Sequence, residues 1–139
     1  MDDALLEFFR SDHYAAHLGV EFILVEDGHC VARMPVKDQH INFHGGVHGG
    51  AIFSLADVAF SAASNSWGTR AAAINVTIDF LAAAGDTPYL EADVRMTGRG
   101  GRAVHYSMEV RNASGDLIAV LSGWVYQTNK EILGGETNP

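Results

Sequence analysis

The sequence predicts an α+β domain in which a curved antiparallel sheet wraps around one long central helix. Two observations carry this. One is a single Ala-rich run from about Gly50 to Ser66 with helical periodicity. The other is a set of six segments that alternate apolar and polar residues, joined by turns short enough to demand antiparallel neighbours. Small residues on the helix let the strands come close. At 139 residues, 47% of them hydrophobic and 19% charged, the chain can bury a real core as one domain.

The elements follow in order. Residues 2–17 place Leu5, Leu6, Phe8, Phe9 and Tyr14 along a short amphipathic helix, read as a lid or packing element. Residues 19–36 alternate in β fashion and break at Asp27-Gly28, a hairpin turn. Cys30, Ala32, Met34 and Val36 share one face of the second arm, which makes Cys30 a packing residue rather than a nucleophile. On the central helix, Ile52, Leu55, Ala56, Ala59, Ala62 and Ala63 form the buried face. Ser54, Asp57, Ser61, Ser64 and Asn65 form a narrow polar stripe opposite, and Trp67-Gly68-Thr69 ends the helix. Residues 72–83, 88–97, 102–111 and 117–128 then read as a four-strand meander. Ile74, Val76, Ile78 and Phe80 lie on one face of its first strand, and the last strand is apolar on both faces. The single domain is placed at residues 1–128 and a disordered tail at 129–139.

Charge and composition narrow the function. A net charge of −8 argues against nucleic acid or an anionic membrane as the main partner, while a small anionic ligand remains open where arginines cluster. With Cys30 as the sole cysteine, no intrachain disulfide or thiolate metal cluster can form. No segment is apolar for long enough to span a bilayer, and the acidic start MDDALLEFFR is unlike a secretory signal. A cytoplasmic protein is the expectation.

Residues 42–66, NFHGGVHGGAIFSLADVAFSAASNS, carry the candidate chemistry. Two Gly-Gly pairs precede the helix, so backbone N–H groups at its N-terminus can approach a ligand closely. Asp57 is the one charged group within the helix, flanked around the wheel by Phe53 and Phe60, which are expected to dry it and strengthen it as a base. His40, His44 and His48 recur every four residues, but Gly45 and Gly46 interrupt them and no carboxylate is interleaved, so no metal site is expected. The helix serines have no paired base at local spacing, which leaves a serine triad unsupported. Asn42 reads either as a site residue or as the cap of a turn.

The pattern N-x-x-G-x-x-H-G-G-x-x-F-x-L-A-D, met here as Asn42, Gly45, His48, Gly49, Gly50, Phe53, Leu55, Ala56 and Asp57, resembles that of hotdog-fold acyl-CoA thioesterases. The likeness is strongest to their phenylacetate-degradation, PaaI-like branch; AFSAASNS and the later TIDFL share it, and it covers roughly residues 17–128. The resemblance implies hydrolysis of an acyl-CoA thioester, of aryl-acyl or medium-chain type, to a free acid and CoA, with no cofactor. It implies Asp57 as nucleophile or general base and the Gly49 N–H as oxyanion donor. Asn42 and His48 would shape that pocket, with Gly50 and Phe53 beside the substrate. It also implies a homodimer with two shared sites, or a homotetramer made of two dimers. Arg99 and Arg102 flank Gly100-Gly101 in a turn and suit the CoA phosphates, or equally are ordinary solvated turn charges. A hotdog hydratase or dehydratase, or a non-catalytic acyl-CoA or acyl-carrier binding module, are the alternatives.

Overall fold

The computed structural model describes residues 2–134. Where one N-terminal helix is expected, there are two: α1 (Asp3–Arg10) and α2 (His13–Leu18). The break has a local cause. Asp12 accepts the N–H groups of Tyr14 and Ala15 at 2.9 and 3.0 Å, so it caps a new helix instead of continuing the old one.

Strands β1 (Glu21–Glu26) and β2 (His29–Pro35) form the expected hairpin, with Gly28 at φ +71° in its turn. The central helix α3 runs Gly49–Ser64 and is followed by β3 (Thr69–Phe80), β4 (Tyr89–Gly100), β5 (Ala103–Asn112) and β6 (Leu117–Glu131). All six strands are antiparallel in one sheet, ordered β1-β2-β4-β5-β6-β3. The expected four-strand meander is therefore corrected to three strands, β4-β5-β6. β3 crosses to the far edge and pairs with β6, while β4 pairs with β2.

The sheet curls so far around α3 that the helix touches every strand. Leu55, Ala56, Ala59 and Ala63 are fully buried, as their spacing requires. The closest approach is at Gly123 on β6, where an added Cβ would stand 2.7 Å from Phe60 Cζ and 2.8 Å from Met108 Cε. Phe60 thus fills the space a side chain on Gly123 would take, edge-on to Tyr106 at 5.6 Å between ring centroids. Cys30 is fully buried, and burial, with the charge of Asp93 adding to it, pushes its thiol up to about 12.

The last strand continues to Glu131, and Ile132 and Leu133 pack against the core, so the chain stays ordered beyond Asn129, where a tail is expected. Residues 135–139 of that expected tail lie outside the described residues. No described helix is long and apolar enough to cross a membrane.

Candidate active site

The loop before α3 is tied by Asn42. Its Oδ1 accepts the N–H groups of His44 (2.9 Å) and Gly46 (3.1 Å), and its own N–H donates to the Gly46 carbonyl at 2.8 Å. Gly45 turns within this loop at φ +86°, a conformation that favours glycine. Asn42 thus caps a turn, and it also lines a cleft of about 700 Å³ together with Ile41, His44, Gly49, Ile52 and Phe80. Its amide Nδ2 has no partner among the described residues, so it remains a donor at that cleft.

His48 is the N-cap of α3. Its Nδ1 accepts the Gly50 N–H at 2.8 Å, and its carbonyl accepts the N–H groups of Ala51 and Ile52. An accepting Nδ1 carries no proton, so the ring is in the neutral Nε2–H form. The expected pair of bare glycine N–H groups is thereby reduced to one. The Gly50 N–H is taken, whereas the Gly49 N–H has no acceptor among the described residues. Gly49 also admits the Phe80 ring, whose Cζ lies 3.2 Å from where a Cβ would be. Nothing local in the sequence points to Phe80, because the contact joins residues 31 apart in the chain.

Asp57 stands on the outer side of α3, yet the surrounding protein desolvates it, and that burial, followed by the negative charge of Asp12, raises its carboxyl above the usual range. Phe60, the other ring expected beside Asp57, points into the core edge-on to Tyr106. Phe53 is half-buried and lines a groove of about 480 Å³ with Tyr14, His48, Gly50 and Ser54. Tyr14 Oη and Ser54 Oγ meet at 3.1 Å, clipping α2 to α3 on the N-terminal side of Asp57. Ser64, expected on the polar stripe, is buried instead and donates to the Ser61 carbonyl at 3.3 Å.

The three periodic histidines do three separate things. His40 is buried between the Lys37 N–H and the Leu18 carbonyl, His44 stacks edge-on against Phe43, and His48 caps the helix. Arg99 and Arg102 lie at the opposite end of the molecule from Gly49, in a pocket of about 280 Å³ with Trp67, Thr69 and Gln127. Arg102 is partly committed there, donating to the Gln127 carbonyl at 2.9 Å and to Asn129 Oδ1 at 3.3 Å.

One free N–H at a helix start can hold an oxyanion, and a desolvated carboxylate can attack or deprotonate. Comparison with known proteins gives the family. Residues 44–119, more than half of the chain, match the thioesterase superfamily. The chain belongs to the thioesterase superfamily. It is 38% identical over 128 residues to the acyl-coenzyme A thioesterase PaaI of Escherichia coli, covering 91% of this chain and 90% of that protein. The structure of the Escherichia coli PaaI protein superposes with a TM-score of 0.85 at 32% identity over 91% of each chain. A variant of the phenylacetic acid degradation protein PaaI from Thermus thermophilus superposes at 0.79 with 31% identity, covering 84% of this chain and all of that one. The expected hotdog fold is thus present, and this thioesterase is a thioester-hydrolysing enzyme of PaaI type.

Proposed function

We propose that this thioesterase hydrolyses an acyl-CoA at a site shared between two copies of the chain. The observation that carries the reading is a distance. Gly49 and Asp57 lie on one helix eight residues apart, roughly 12 Å along its axis. A donor about 3 Å from the carbonyl oxygen and a carboxylate in attacking range of the same carbonyl cannot both come from one such helix. Two antiparallel copies of α3 about a two-fold axis near Phe53, midway between them, set each Gly49 beside the partner's Asp57.

An uncovered surface supports a second copy. β3 is an edge strand of twelve residues with Ile74 at 62% and Phe80 at 54% exposure, Leu81 (55%) follows directly, and Phe43 (93%) is a further exposed ring on the loop before α3. Antiparallel pairing of two such edges also turns the Thr69 end of one strand toward the Phe80 end of the other. Thr69 lines the Arg99–Arg102 pocket and Phe80 lines the Gly49 cleft. Within one chain these two ends are separated by roughly 36 Å of strand. The dimer therefore brings a phosphate-binding pocket of one copy toward the thioester cleft of the other.

In the reaction, the thioester oxygen accepts the Gly49 N–H, with the Asn42 amide beside it and His48 holding the turn. The partner's Asp57 then attacks the carbonyl carbon to form a mixed anhydride that water cleaves, or takes a proton from the attacking water. Either way the C–S bond breaks and CoA leaves as its thiol. Assembly of two dimers into a homotetramer, and a cytoplasmic location resting on the single cysteine, belong to the same proposal. Thiol release from phenylacetyl-CoA and from medium-chain acyl-CoA, each with an Asp57→Asn control, tests it. Hydrolysis abolished in the control is the expected result. Binding without thiol release would make the chain a binding module, and hydration of an enoyl-CoA would make it a hydratase.

A further inference from the structure

A second cavity opens beside Asp57, one turn further along α3. It holds about 310 Å³ between α1, β1 and α3, and Phe8, Phe9 and Phe22 form its walls over a floor of Val58 and Ala62. The three rings make one surface, with Phe8–Phe9 and Phe9–Phe22 centroids each 6.4 Å apart. Phe8 is 47% exposed although it belongs to a helix whose neighbouring Phe9 is buried, so an aromatic ring stands at the cavity mouth. Ser61, one turn from Asp57 on the same stripe, lines the cavity, as does Asp12, the residue whose charge acts on Asp57. The competing groove on the other side of Asp57 sets His17, His40, His48 and Gln39 beside Leu18 and Phe53 and has no cluster of aromatic walls, and the Tyr14–Ser54 contact lies across its lining.

Resting on the proposal that Asp57 works on a thioester, we infer that the acyl group enters the Phe8–Phe9–Phe22 cavity, so that α1 sets acyl selectivity. One turn of α3 separates Asp57 from Ser61, roughly 6 Å along the axis, and this is the depth of a single ring attached through one carbon to the carbonyl. Three aromatic walls fit such an aryl group by area and by ring-edge contact. An acetyl group is too short to reach them. The cavity belongs wholly to one chain, so it contributes selectivity to the half of the shared site that carries Asp57.

The test is the ratio of kcat/KM for phenylacetyl-CoA over acetyl-CoA, measured in wild type, Phe9→Ala and Ser61→Phe. A ratio within one variant does not depend on how much of that variant is folded. Phe9→Ala removes a wall. Ser61→Phe fills the cavity from an exposed position and so stays informative if Phe9→Ala fails to fold. The ratio should fall about tenfold or more in both, the scale of discrimination an apolar pocket supplies. A ratio within twofold of wild type in Ser61→Phe overturns the inference. Wild-type protein that releases no thiol from either ester instead overturns the thioesterase reading on which the inference rests.

Discussion

His48 Nδ1 takes the Gly50 N–H at 2.8 Å, and in doing so leaves the Gly49 N–H as the unspent donor at the start of α3. Gly49 is the first helical position, where proline is well tolerated because its missing N–H has no intrahelical partner. His48, at φ −63° and ψ 135°, already has the extended backbone that a following proline requires. Gly49→Pro should therefore delete the donor while keeping the helix, with the exposed Phe80 ring, 3.2 Å from the new Cβ, giving way by a few tenths of an ångström, and turnover should fall about a hundredfold or more. Circular dichroism and thiol release on the same preparation check both halves.

That variant also tests sharing of the site. When Gly49→Pro and Asp57→Asn chains are unfolded, mixed equally and refolded, half of the dimers are mixed. Each mixed dimer carries one site with both lesions and one with neither. Roughly a quarter of wild-type activity should return. If mixed dimers form and the activity stays at the level of the parents, the site lies within one chain.

Asp57 is held above its usual range by burial and by the like charge of Asp12. The folded protein therefore binds this proton more tightly than the unfolded chain, and stability falls as pH rises through the raised value. At neutral pH the ionised carboxylate is a cost to folding, so Asp57→Asn should melt at a higher temperature than wild type while losing at least about a hundredfold in turnover. The kcat/KM of wild type should rise with pH through an inflection above the ordinary aspartate value of about 3.9. Calorimetry of the pair and a pH–rate profile decide the matter; a variant less stable than wild type would show that Asp57 is structural.

Gly123→Ala directs a methyl group at Phe60 Cζ and Met108 Cε, which stand 2.7 and 2.8 Å from its position. Both partners are fixed in the core, so the expected loss is about 1–3 kcal/mol in urea unfolding, with kcat little changed in the folded fraction.

Ile74→Asp introduces a charge at the exposed centre of the β3 edge. Sedimentation should show a monomer, and that monomer should be inactive. A dimeric, active Ile74→Asp protein would remove this edge from the interface. Separately, Arg99→Ala with Arg102→Ala should raise KM for CoA esters and lessen its dependence on salt.

Much of the fold was legible because periodicity is local. Ile52, Leu55, Ala59 and Ala63 fall on the buried face where helical spacing puts them, and the Asp27-Gly28 turn marks a hairpin that exists. Sheet order was not legible. The turns at Arg102 and Gly115 bind neighbours, but nothing between Phe80 and Tyr89 says that β3 crosses to the far edge. At the site, the pattern from Asn42 to Asp57 named the segment, whereas the contacts that tune it came from a distance. Asp12 reaches Asp57 only through the packing of α2, and Phe80 reaches Gly49 only through the path of β3. A histidine cap carries little sequence signal, because N-cap preference favours Ser, Thr, Asp and Asn.

The position of β6 also fixes when the molecule can be finished. Among the described residues β3 pairs with β6 alone, in a register running from Thr69 opposite Glu131 to Phe80 opposite Ala119. As the chain leaves the ribosome, β3 emerges some forty to sixty residues before the residues of β6 that cover one side of it. Until then an apolar strand waits with both edges open. Synthesis must run through β6 before the sheet closes, and only then is a single edge left on β3, the edge that the proposed dimer would use. In the proposed dimer, assembly would follow folding, and a chain truncated before β6 has a β3 that is exposed to aggregation on both edges.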